Sequence, residues 1–310
     1  MSTVNNPIFG NESAVEMLKK FIDSTIQKKS GPQFFLLIGP SGIGKFSHAK
    51  KMIQEYLGDF AYSDALFLQD YSSEIGKTHT IPVETPDKPN HEIQLADDER
   101  IPNYGIREVN ARLQQSSFSL RKFVLIENMQ RMSNTAMNAF LKTAEEPLSN
   151  RFIIATTTHS SQVMDTILSR SVQIVFEPLT FEQMEVFADQ NQLFMSLDEK
   201  SKKSLIAMSM GKPGMLMTLG KSTESKPEII DAIQILWNNI ENVSFSKVQA
   251  QRSLKLLSDE GILSEFIDGL ISYLTENDNY QLAKHWMKVK KLMGANINVE
   301  NILWYGVIQS

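Results

Sequence analysis

The sequence predicts an α/β fold: a mainly parallel sheet with a phosphate-binding loop, then a small helical region, then an all-helical C-terminal part. Gly39-Pro40-Ser41-Gly42-Ile43-Gly44-Lys45 sits between an apolar run, Phe34–Ile38, and a helical stretch, Ser47–Leu57. Strand, glycine loop and helix in that order form the setting a phosphate-binding loop needs. Further short apolar runs, Phe123–Ile126, Phe152–Ala155 and Val172–Phe176, alternate with helical patterns. Alternation of this kind implies right-handed crossovers and a parallel sheet with the loop at its carboxyl edge. From Pro178 onward only helical patterns follow.

In chain order, Ala14, Leu18, Phe21, Ile22 and Ile26 mark one face of a first helix, which ends at Lys28-Lys29-Ser30-Gly31-Pro32. After the loop, Ala49, Met52, Ile53 and Tyr56 keep helical spacing, and Gly58 is a stop. Ala65–Leu68 reads as a short strand. Thr78–Pro102 holds four prolines, Pro82, Pro86, Pro89 and Pro102, and reads as a surface insertion or a mobile loop, its Asp97-Asp98-Glu99 a solvated face. Ile106, Val109 and Leu113 restart a helix, and Ser133 is a candidate N-cap for a helix that Pro147 stops. Phe181–Asn191 and Ser201–Met210 are helical, with Gly211-Lys212-Pro213-Gly214 as a break and Ser222–Pro227 as a linker. Three stripes, Ile229 to Ile240, Leu263 to Leu274 and Leu282 to Met293, read as a helical bundle, and Ile302, Leu303 and Val307 close the chain. The expected domains are therefore 1–177, 178–222 and 223–310. A chain cut near Ser222 is expected to stay folded but to fail to assemble, part of the Leu263–Leu274 face being reserved for other molecules.

The loop glycines, Gly39, Gly42 and Gly44, let backbone N–H groups turn inward as a nest at the start of a helix, where anions are favoured. Lys45 adds a cation for the outer phosphates. The next residue should be Ser or Thr, to hold Mg²⁺, and it is Phe46; Ser47, one place later, points about 100° away on a helix. The second nucleotide signal is an acid at a strand end. Glu127 stands there, but its neighbour is Asn128, which cannot act as a base. Glu127 alone is equally a surface carboxylate; together with Phe46 it describes a site released from catalysis. Thr157, within Thr156-Thr157-Thr158, ends a neighbouring strand, where a hydroxyl reaches either a phosphate or the local backbone. Arg170, between Ser169 and Ser171, is either a surface ion-pair partner or a functional cation. Trp237, Trp286 and Trp304 lie on apolar helical faces and read as core or interface.

At 310 residues the chain can bury a sizeable core. Zero Cys excludes disulfides and cysteine zinc sites, and fits a reducing compartment. A formal charge of −5 argues against nucleic-acid binding driven by bulk charge. Met1–Asn6 is polar without a basic region, so no signal peptide is expected, and no apolar run approaches membrane-spanning length. The expected location is cytoplasmic, without membrane contact.

Three ordered motifs resemble the AAA+ clamp-loader subunits of the bacterial replicative polymerase. They are the loop Gly39–Lys45, the run Asn138-Ala139-Phe140-Leu141-Lys142-Thr143-Ala144-Glu145-Glu146-Pro147, and Thr166-Ile167-Leu168-Ser169-Arg170-Ser171, with Ser171 where the family carries Cys. Ile8-Phe9-Gly10-Asn11-Glu12 resembles the family's opening. The resemblance implies an AAA+ P-loop domain, a helical lid and a helical collar. Motor subunits of the family keep Thr after the loop lysine, an Asp-Glu pair, and an Arg where Gly214 stands here. A member lacking all three is expected to have little ATPase activity of its own. Arg170 is the expected catalytic residue, acting in trans on a neighbour's ATP. The degenerate nucleotide site would comprise Gly39, Gly42, Gly44, Lys45, Glu127 and Thr157, with ATP or ADP binding left open and no cofactor required. The family's four-cysteine zinc module is absent from this sequence. The implied partners are gamma/tau-like and delta-like subunits, the sliding clamp, and primer-template DNA through the assembled complex. The rival readings are an ATP-hydrolysing motor subunit, an AAA+ adaptor for helicase loading or recombination, and a small-molecule phosphotransferase.

Overall fold

The computed structural model describes residues 9–69, 81, 105–226, 228–241, 247–259, 262–276 and 278–293. Except for Ile81, Pro102 and the rest of the proline-bearing stretch at 78–102 lie outside these residues, as does the closing stripe at Ile302, Leu303 and Val307. The chain divides into two compact units, Gly10–Glu177 and Pro178 onward, with Phe9 belonging to the second.

The first unit is built on five strands: β1 (Phe34–Ile38), β2 (Ala65–Leu68), β3 (Lys122–Ile126), β4 (Arg151–Thr157) and β5 (Val172–Val175). They lie in the order β2-β3-β4-β1-β5, and every pairing is parallel. Ile38 is opposite both Thr157 and Val175, and Ile126 is opposite Ala155, so these strands end together at one edge. Parallel sheets are covered on both faces, which is why β1, Phe123–Ile126 of β3 and Phe152–Ala155 of β4 read as unbroken apolar runs. The period of two then sorts the side chains. Phe34, Leu36, Val124, Ile126, Ile153 and Ala155 join one buried cluster; Phe35, Leu37, Phe123, Leu125, Phe152 and Ile154 join another.

The helices of this unit are α1 (Glu12–Lys28), α2 (Lys45–Leu57), α3 (Ala61–Asp64), α4 (Ile106–Gln114), α5 (Asn134–Glu145) and α6 (Asp165–Leu168). Leu18 and Ile22 of α1 and Met52 and Ile53 of α2 cover one face of the sheet. Val109 and Leu113 of α4, Met137 and Phe140 of α5 and Ile167 of α6 cover the other. Ser133 caps α5, its hydroxyl accepting from the Ala136 N–H at 3.1 Å. The two ends of the unit are stitched by one side chain: Asn11 Nδ2 donates to the Glu177 carbonyl at 3.1 Å, and Glu177 N–H donates to Asn11 Oδ1 at 2.9 Å.

The second unit is helical: α7 (Phe181–Asp189), α8 (Glu199–Ser209), α9 (Pro213–Ser225), α10 (Glu228–Glu241), α11 (Lys247–Asp259), α12 (Leu263–Glu276) and α13 (Tyr280–Met293). A capping box starts α7, with Thr180 and Gln183 each bonding the other's backbone N–H. Three features differ from the sequence reading. Helix α11 was not singled out. Helix α9 runs through the expected boundary at 222 and on to Ser225. The Leu263–Leu274 face is consumed internally: Leu263, Phe266, Ile267, Leu270 and Leu274 are buried, in one cluster that extends from Leu179 to Val289. Gly269 seals this arrangement, because a Cβ there would sit 2.6 Å from the Met208 Cα of α8. A cut near Ser222 would therefore remove from α7, α8 and α9 the part of this cluster that lies beyond it.

Candidate functional site

The loop from Gly39 to Lys45 joins the carboxyl end of β1 to α2. Gly42 (φ 79°) and Gly44 (φ 91°) adopt left-handed backbone, which glycine enters without a Cβ penalty. Gly39 is held for a different reason: a Cβ there would meet the Phe176 carbonyl oxygen at 2.3 Å. Its N–H donates to the Thr157 carbonyl at 3.2 Å, tying the loop to β4. Ile43 is buried and pins the loop's middle to the core beneath.

Lys45 is buried at 6% exposure, and its Nζ donates to the loop's own carbonyls, Gly39 O at 2.6 Å and Pro40 O at 2.7 Å. Burial pushes its pKa down to about 8, while the nearby Glu127 carboxylate works in the other direction. Lys45 and Glu127 are thus brought into one electrostatic neighbourhood, as the motif expects. Phe46 is half-buried and packs against the cluster under α1 and α2. Ser47 is exposed. Position 46 supplies an aromatic ring to the core and no oxygen to a cation, so the residues present do not fit a loop-held Mg²⁺.

At the end of β3, Glu127 N–H donates to Leu68 O at 2.8 Å, and Asn128 turns left-handed at φ 54°. Asn tolerates this region because its short side chain can bond locally. The Asn128 N–H donates to Thr156 Oγ1 at 3.0 Å. Thr157 is fully buried, and its hydroxyl donates to the His159 carbonyl at 3.0 Å. Thr158 Oγ1 accepts from Gln130 Nε2 at 3.1 Å. The threonine hydroxyls at this edge are committed to the turns after β3 and β4. Of the two roles open to Thr157, the geometry supplies the local one.

Arg170 lies elsewhere, between α6 and β5. Its Nη1 donates to the Thr166 carbonyl at 2.7 Å and to Ser169 Oγ at 3.3 Å, and its Nη2 pairs with Glu145 Oε1 at 2.7 Å. The side chains of this pair are 36% and 43% exposed. Glu145 ends α5 and belongs to the middle motif, yet sequence reasoning missed it as a partner. A groove of about 460 Å³ opens between α4 and α5, lined by Asn110, Lys142, Thr143 and Arg151; it contains none of the expected site residues. Among the described residues no cluster of His, Cys, Asp or Glu could hold a metal ion, and no helix is long and apolar enough to cross a membrane.

Residues 12–180 match the model of the family described as DNA polymerase III, delta subunit. The chain is 25% identical over 197 residues to the DNA polymerase III subunit delta' of Haemophilus influenzae, covering 62% of this chain and 56% of that protein. It is 27% identical over 126 residues to the uncharacterized protein MG007 homolog of Mycoplasma pneumoniae, covering 40% and 48%. The chain thus spans about half the length of the curated relatives it matches. Similar solved structures include a DNA polymerase III gamma subunit-related protein of Thermotoga maritima, with 16% identity, TM-score 0.44, and 95% of this chain and 97% of that one covered. The RuvB Holliday junction branch migration motor of the same organism has 14% identity, TM-score 0.46, and coverage of 87% and 78%.

Proposed function

The chain belongs to the DNA polymerase III delta subunit family, and from that premise we propose that it is the delta-prime subunit of a clamp loader, without ATPase activity of its own. In this reading it closes a ring of AAA+ subunits, gamma/tau-like and delta-like, in the cytoplasm. It presents Arg170 to a neighbour's ATP and helps seat the sliding clamp on primed DNA. The observation that favours it is the contrast at the loop. Phe46 packs half-buried against the core where a metal-binding hydroxyl is needed, and Lys45 is turned onto Gly39 O and Pro40 O. Asn128 adds that no carboxylate stands beside Glu127 to polarise water. A trans arginine neutralises charge that develops on the transferred phosphoryl group, an effect of about 10³–10⁵ in rate in other NTPases.

The test is phosphate release by the purified chain. No turnover is expected, and whatever nucleotide binds should bind with little dependence on Mg²⁺. Turnover of about 1 s⁻¹ that disappears in Lys45→Ala would instead identify a motor subunit.

A further inference from the structure

The guanidinium of Arg170 is not loose. Two acceptors on its own turn, Thr166 O and Ser169 Oγ, hold Nη1, and a third from a different helix, Glu145 Oε1, holds Nη2. Guanidinium has five N–H donors in a fixed plane. Three are engaged by these contacts. Among the described residues no hydrogen bond is made by Nε, so the remaining donors are Nε–H and the second N–H of Nη2.

Glu145 also has a firm base. It is the last residue of α5, and Ala136, Met137, Phe140 and Ala144 of that helix are buried against the sheet. Ile167, within the same four-residue helix as Thr166, is buried in the same cluster. The end of α5 and the turn that carries the Thr166 carbonyl are therefore held by one packed cluster, and the guanidinium bridges the two segments.

Resting on the trans-arginine reading, we propose that Glu145 is the positioning residue for Arg170: its carboxylate holds the guanidinium plane so that the two remaining donors meet two phosphate oxygens of a neighbouring subunit's nucleotide. A side chain with four rotatable bonds loses conformational freedom whenever it is used, and holding it beforehand lowers that loss. Placement matters at this scale, since a shift of about 1 Å at a reacting group can slow a reaction by about 10²-fold. The pair does not silence the charge, because both side chains reach solvent, where an ion pair is screened.

The experiment uses the assembled clamp loader with ATP as substrate and compares Glu145→Gln, Arg170→Ala and the double variant. Glu145→Gln should lower kcat by about threefold to tenfold with KM for ATP within about twofold, at an unchanged melting temperature for this chain. In the Arg170→Ala background the same change should have no further effect, since nothing is left to position. The proposal is overturned if Glu145→Gln leaves kcat unchanged or raises it, if it acts on KM alone, or if it lowers kcat equally with and without Arg170. An Arg170→Ala complex of unaltered rate would instead bring down the trans-arginine reading itself.

Discussion

The two cations that matter most in the first unit are handled in opposite ways. Lys45 is buried, faces the carbonyls of its own loop, and has its pKa pushed down to about 8. Arg170 stays at the surface, with its charge shared by an exposed carboxylate and a carbonyl. Desolvation penalises a charge in the first setting and hardly touches it in the second. The lysine is consequently part of the architecture of its loop. The arginine stays partly open to solvent. A motif that names both residues as nucleotide contacts does not distinguish them; burial and partners do.

The largest effect expected from this contrast is on rate. Arg170→Ala in the assembled complex should slow a neighbour's ATP hydrolysis by about 10³-fold, the lower end for trans arginines. The fold of this chain should hardly respond, because an exposed ion pair is worth about 0–1 kcal/mol. Steady-state hydrolysis alongside a melting curve checks both halves. A large loss of stability with normal hydrolysis would mean that the arginine, too, is architecture.

A smaller effect, on stability, is expected at the loop. Gly39→Ala places a Cβ 2.3 Å from the Phe176 carbonyl and 2.7 Å from Ile43 Cδ1. Neither neighbour can yield without moving β5's end or the buried Ile43, so a loss of about 3 kcal/mol is expected in urea unfolding. An unchanged midpoint would show that the loop is softer than its packing suggests.

The smallest effect is a slope. Folding lowers the Lys45 pKa from its ordinary 10.5 to about 8. Below pH 8 the lysine is charged in both states, and the folded state bears the full cost of burying it. Between pH 8 and 10.5 the unfolded chain binds more protons, so this group makes stability rise with pH, by at most about 1.4 kcal/mol per pH unit. Burial also lowers the pKa values of Lys122 and Lys212, giving them the same sign. The informative quantity is therefore the difference from Lys45→Met, whose stability should rise less steeply over that window. Parallel curves would mean that Lys45 reaches water.

Most of the sheet was legible because its strands are covered on both faces, which leaves uninterrupted runs such as Phe34–Ile38. Ser133 was legible as a cap because the signal is local. Helix α11 was not singled out: its buried apolar positions, Ala250, Leu254 and Leu257, form a narrow stripe with an alanine in it and a buried Ser253 beside it, set among Gln, Lys and Arg. The single core of the second unit was hidden for another reason. A stripe such as Leu263–Leu274 announces that a face is buried and says nothing of what buries it. The loop's glycines and Phe46 could be read from spacing alone. That Lys45 turns back onto its own loop and that Thr157 serves its own turn are local contacts whose choice over a phosphate the spacing leaves open; that Glu145 meets Arg170 is a fact of tertiary placement, between residues that no local pattern connects.

The Asn11 clasp has a consequence for the history of such a chain. One side chain bonds both the N–H and the carbonyl of Glu177, so the point where the sheet-bearing unit begins and the point where it ends are the same place. A stretch with coincident ends behaves as a cassette. It can be transplanted beside a different helical appendage, or reopened at one of its turns, without rerouting the backbone within it.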